Sequence, residues 1–223
     1  MDIGLNMELP SICSLLYCMC PEGDFDLYES IESQLVLRHS SDKRHYHNIS
    51  HVYQCIKDLS KVVNPLVDYF KLSLIEFKQI EYALWFHDAV YNIKSMDNEE
   101  KSADLAYNEG IKAKLSEPFL HGVKKLIRAT KHDKDPENIY EAYIIDIDLA
   151  ILGKDPITYK KYKNGIRNEY ASIPDKQFKE GRSAVLKKFI DRKKIYNTPL
   201  FFDEYEEEAR YNLEREIKEL EKL

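Results

Sequence analysis

The run Tyr82-Ala83-Leu84-Trp85-Phe86 is apolar on nearly every side and ends in two adjacent ligand-type side chains, His87 and Asp88. A segment with no polar face belongs at the centre of a core. An ionised carboxylate directly after it costs several kcal/mol unless it is paired or coordinated. Two further stretches mix the same ingredients: Tyr46-His47-Asn48-Ile49-Ser50-His51, and Ile144-Ile145-Asp146-Ile147-Asp148-Leu149. Imidazoles and carboxylates from three separate predicted helices are how an all-helical protein builds a metal centre in its core.

The composition agrees with helices. Only 7 Gly and 8 Pro stand among 223 residues, 43% of them hydrophobic, which favours long helices with short connections over a sandwich or barrel. One core of that size needs no second domain. The expected class is all-α, with residues 1–24 an N-terminal extension lacking helical periodicity, Met7 an alternative start, and residues 25–223 the helical domain. A formal charge of -6 argues against a nucleic-acid duplex as partner. No apolar run reaches the ~18 residues of a membrane span. Asp2 and Glu8 stand where a signal peptide needs positive charge, so the expected location is the cytoplasm. Cys13, Cys18, Cys20 and Cys55 lack paired metal-finger spacing and are read as reduced thiols without a role.

Periodicity predicts helices over residues 27–37, 45–63 and 74–90, the second ended by Pro65. Asp97 with Glu100 reads as an Asp version of the capping box for a helix running to 115. Another covers 118–131. Asp135-Pro136 opens the next, which Gly153 closes in a left-handed position. Asp155-Pro156 repeats the start signal, Ile173-Pro174 separates that helix from one reaching 192, and residues 203–223 form a last charged helix.

On one helix, His47 and His51 would share a face one turn apart. Asp146 and Asp148 would point about 200 degrees apart, so one of them is the ligand and the other a supporting group. Two histidines and two aspartates make a nitrogen and oxygen site suited to Mn, Fe, Co, Ni, Zn or Mg. Lys131 continues the inward face of Leu120, Val123 and Ile127 and is a candidate phosphate contact, or a cation at a helix C-terminus. Arg182, on the face of Phe178, Val185 and Phe189, needs an anion, either a structural carboxylate or substrate phosphate. Arg167 is a candidate substrate contact, or with Lys160 and Lys163 the solvated side of the Tyr159, Tyr162, Ile166, Tyr170 helix. Glu99 is a candidate to orient water or accept a proton, or a structural cap of its helix.

The order His51, His87-Asp88, Asp148 resembles the HD-domain superfamily of metal-dependent phosphohydrolases. More narrowly, Tyr46-His47-x-x-x-His51, Trp85-Phe86-His87-Asp88-x-Val90-Tyr91, Asn98-Glu99-Glu100-x-Ser102-Ala103, Thr130-Lys131-His132, the run Asp146 to Gly153 and Arg167-x-Glu169-Tyr170 are similar to a bacterial subfamily of predicted HD phosphohydrolases, over residues 28–220. The resemblance implies a helical HD-type fold with His51, His87, Asp88 and Asp148 as metal ligands, Asp148 preferred over Asp146 for its Asp-Leu context. The segment from Tyr46 to His51 also resembles the opening of the cyclic nucleotide phosphodiesterase motif. That likeness makes His47 the acid that protonates the leaving oxygen.

The function implied is hydrolysis of a phosphate ester or anhydride of a nucleotide or similar small metabolite by hydroxide generated at a divalent ion. Catalytic candidates are His47, Glu99 and Lys131, and substrate contacts are Lys131, Arg167 and Arg182. A di-iron oxygenase, with His132 helping to hold a second metal, and a non-catalytic nucleotide sensor are the alternatives. A homo-oligomer is left open.

Overall fold

The computed structural model describes residues 10–62 and 72–222, which are helical, with no strand among them. Their ten α-helices are α1 (Ile12–Met19), α2 (Phe25–His39), α3 (Ile49–Val62), α4 (Leu74–Phe86), α5 (Asn98–Lys112), α6 (Glu117–Ala129), α7 (Ile139–Leu149), α8 (Pro156–Glu169), α9 (Asp175–Ile190) and α10 (Pro199–Glu221). Met7 and Pro65 lie outside the described residues.

The axis of the bundle is α4. Ser73 caps its start, taking the Glu76 N–H while the Glu76 carboxylate takes the N–H of Ser73. Ile80 and every residue from Tyr82 to Phe86 have no exposed surface, because α1, α3, α5, α6 and α7 pack around them. His87 forms the C-cap, so the chain leaves the core at the point where its ligand-type side chains begin.

Several boundaries differ from the sequence expectation for identifiable reasons. Residues 12–19, expected within an extension, form α1, with Ile12 and Leu16 fully buried in the core. Two turns of mostly apolar residues show no helical period to read. Helix α3 begins at Ile49 because Asn48 Oδ1 accepts the Ser50 N–H, which leaves His47 outside the helix. The Asp97 carboxylate makes no cap bond; it pairs with Ser95 and with Lys101, and Glu100 pairs with Arg128. Asn138 rather than Asp135 caps α7, accepting from Tyr140 and Glu141 at 3.0 Å each. Gly153 is not left-handed, and no glycine among the described residues is. It ends a 3₁₀ turn, Ala150–Gly153, where an added Cβ would sit 2.5 Å from the Tyr205 Cβ of α10. Asp155 caps α8 as expected.

Candidate metal centre

Three elements aim donors at one point. His51 comes from the first turn of α3, His87 and Asp88 from the end of α4, and Asp148 from the last turn of α7. His51 Nε2 lies 3.2 Å from His87 Nε2, 3.0 Å from Asp148 Oδ1 and 3.7 Å from Asp88 Oδ2. His87 Nε2 lies 3.2 Å from Asp88 Oδ2 and 3.6 Å from Asp148 Oδ1. Bonds of about 2.1 Å to a common ion put neighbouring donors about 3.0 Å apart on an octahedron and about 3.4 Å apart on a tetrahedron. The observed separations span those values.

The ring of His87 is oriented for such a role. Its Nδ1 lies 2.8 Å from the Leu84 carbonyl, so that nitrogen donates its proton there and Nε2 is the one turned to the cluster. Burial works against a charged imidazole at His87, but Asp88 and Asp148 beside it push its pKa well above the ordinary histidine value. Burial would raise the Asp148 carboxyl too; the hydrogen bonds from His132, His51 and His87 hold it well below the usual range instead. The surroundings of Asp148 thus favour its ionised form, the form in which a carboxylate can hold a cation.

Asp146 and Asp148 divide as their opposed directions require. Asp146 has no exposed surface, and its oxygens accept the Asn197 N–H at 2.8 and 3.0 Å, the Asn197 side-chain amide at 2.9 Å, and the Thr198 N–H and hydroxyl at 2.7 Å each. It ties α7 to the start of α10. Asp148 faces the cluster, and its second oxygen lies 2.8 Å from His132 Nε2. His132 follows α6 in a left-handed conformation, φ 57°, and among the described residues its buried Nδ1 has no partner.

Cys55, one turn after His51, joins the same group. Its Sγ lies 3.7 Å from both ring nitrogens of His51, and one donor atom each from His51, Cys55, His87 and Asp148 fall within 4.8 Å of one another. Burial, then the charges of Asp148, Asp58 and Asp88, push its thiol pKa well up. The described residues thus contain a buried group of His, Cys and Asp that can hold a metal ion.

His47 sits beside this group, its ring centre 6.1 Å from that of His51, on the bend before α3 rather than on a shared helical face. A carboxylate from α8 holds it there. Glu169 Oε1 accepts the N–H groups of Tyr46 and His47 at 2.7 and 2.8 Å, while Oε2 lies 2.7 Å from His47 Nδ1 and accepts the Tyr91 hydroxyl at 2.9 Å. The Tyr91 ring stacks on the imidazole. Burial would lower the His47 pKa, but Asp88 and Glu169 raise it. Burial would raise that of Glu169, but the His47 hydrogen bond and charge bring it down to about 2. Arg44 closes the arrangement, donating to the carbonyls of His47 at 2.9 Å, Asp88 at 2.6 Å and Ala89 at 3.2 Å. Sequence reading gave Glu169, Arg44 and Cys55 no role; only the Arg167-x-Glu169-Tyr170 motif hinted at the first.

The other sequence candidates stand elsewhere. Arg182 grips Glu216 through two nitrogens, at 2.9 and 3.2 Å, and donates to the Tyr162 hydroxyl, so its anion is a structural carboxylate. Arg167 binds Asp175 and the carbonyls of Tyr170 and Ile173. Lys131 is exposed in the turn after α6, its ammonium 3.4 Å from the Met96 carbonyl. Glu99 is half-buried in the first turn of α5. No hydrogen bond or ion pair among the described residues joins Lys131, Arg167, Arg182 or Glu99 to the cluster. A cavity of about 220 Å³ does reach it, and its lining includes His51, Cys55, Asp148, Asn48, Thr158 and Lys161.

No protein-family model matches the chain, and no curated protein is similar to it in sequence. Among the described residues, no helix is long and apolar enough to cross a membrane.

Proposed function

We propose that the protein is a metal-dependent phosphohydrolase acting on a small phosphorylated metabolite, a nucleotide or a compound of similar size. The observation that carries the reading is the convergence of His51, His87, Asp88 and Asp148 from three helices beside an imidazole that a buried carboxylate orients. A divalent ion bound there would supply Lewis-acid polarisation of a phosphoryl oxygen and acidify a coordinated water.

The protein's own residues supply the rest. Glu169 occupies Nδ1 of His47, so Nε2 is the nitrogen that delivers a proton to the leaving oxygen. Glu169 and Asp88 favour the protonated ring, as a general acid requires. Lys161, which lines the same cavity, is the candidate cation for the substrate's remaining charge. The HD-type motifs of the sequence support the same chemistry.

The test is phosphate release by the purified protein with Mn²⁺, Co²⁺, Ni²⁺ or Mg²⁺ across a panel of nucleotides and sugar phosphates. Release above an Asp88→Ala control is expected with at least one ion, and none under any ion rejects hydrolysis. One contact favours a second reading, a di-iron oxygenase: His132 lies on the far oxygen of Asp148. A stoichiometry of one metal per chain rejects it.

A further inference from the structure

Helix α3 carries Cys55 one turn beyond His51, on the same face. The thiol is 2% exposed, and its sulfur stands 3.7 Å from each of the two ring nitrogens of His51. A sulfur equidistant from both ring nitrogens lies to the side of the Nε2 lone pair, so a bond of about 2.3 Å to an ion on that nitrogen takes a turn of the Cys55 side chain about its Cα–Cβ bond. Asp88 approaches the same nitrogen, also at 3.7 Å, from the turn after α4. His51, His87 and Asp148 therefore have two candidates for a further position, one soft and one hard.

We propose that Cys55 selects the ion: a thiophilic cation such as Zn²⁺ or Co²⁺ is held by His51, His87, Asp148 and the Cys55 sulfur, whereas Mg²⁺ or Mn²⁺ draws on the Asp88 oxygen in place of sulfur. Sulfur donors favour the borderline and soft ions, carboxylates the hard ones. On binding, the S–H bond breaks, its electron pair forms the bond to the ion, and the proton leaves to solvent with no change of oxidation state. The proposal rests on the cluster being a metal centre, but not on which reaction it performs.

The experiment loads the full-length chain with Co²⁺ in the absence of oxygen and records its absorption. Wild type is expected to show a thiolate-to-cobalt charge-transfer band in the near ultraviolet beside visible d–d bands. Cys55→Ser should keep the d–d bands and lose the charge-transfer band. Competition titrations should then show zinc affinity about tenfold lower or worse in Cys55→Ser, the scale on which weaker supporting contacts already act, with manganese affinity unchanged. Wild-type d–d bands without charge transfer, or an unchanged zinc-to-manganese ratio in the variant, overturns the role of Cys55 and leaves the metal centre standing. No cobalt binding by wild type overturns both.

Discussion

Glu169 holds His47 from both ends, Oε1 taking the backbone N–H at 2.8 Å and Oε2 meeting Nδ1 of the ring at 2.7 Å. The position of the imidazole thus depends on one buried carboxylate, which together with Asp88 also favours its protonated form, and the two residues should fail together. His47→Ala is expected to lower phosphate release by about 10²–10⁴-fold, the usual contribution of a general acid. Glu169→Gln should fall in the same direction by a smaller factor and move the pH optimum down, because the His47 pKa drops when the anion is lost. Metal content by elemental analysis should be unchanged in both, since neither is a ligand.

The same pair gives the fold a pH dependence of known sign. The Glu169 carboxyl is depressed to about 2 in the folded protein from an ordinary 4.5. A depressed acid contributes stability that is complete above its unfolded value and fades as pH falls toward the folded one. Thermal melts should therefore show wild type more stable than Glu169→Gln at pH 6, with the gap closing between about pH 4.5 and about pH 2. A gap that widens on acidification rejects the assignment.

Arg182 provides the contrasting case, a buried cation with no part in the site. Both it and Glu216 are buried, and removing one partner of such a pair leaves an uncompensated charge. Arg182→Ala should lose about 3–5 kcal/mol in denaturant unfolding. Its metal affinity should stay at the wild-type value wherever it remains folded.

The all-helical class was legible because apolar spacing and cap residues are local signals. That imidazoles and acids from three helices share a metal centre was legible from residue type and apolar context, but the choice of His51, His87, Asp88 and Asp148 came from the resemblance, since no local rule says that the ends of α3, α4 and α7 meet. Glu169 was out of reach for the same reason: it lies 122 residues from His47, and its burial follows from how α8 packs. Cys55 was overlooked because its partners are not cysteines. The mistaken face for His47 came from extending helical spacing across Asn48, whose side chain starts the helix.

Asp146 and Asp148 allow metal binding to be separated from folding within three residues of chain. Asp146 is buried within α7 and saturated by Asn197 and Thr198, whereas Asp148 is half-buried at the last turn and faces His51, His87 and His132. An ion that binds only the folded state stabilises it by RT ln(1 + [L]/Kd), about 2.7 kcal/mol at a hundredfold excess over Kd. Wild type should show that increment in melts with and without Zn²⁺ or Mn²⁺. Asp148→Asn should lose it, because an amide oxygen is a poorer ligand and the charge balancing the ion is gone. Asp146→Asn should begin less stable, by about 1–3 kcal/mol for charge-assisted hydrogen bonds lost or weakened, yet keep the full metal increment. If Asp146→Asn lost the increment and Asp148→Asn kept it, the ligand would be the wrong aspartate. If wild type showed none with any ion, the cluster would be a hydrogen-bonded network and not a metal site.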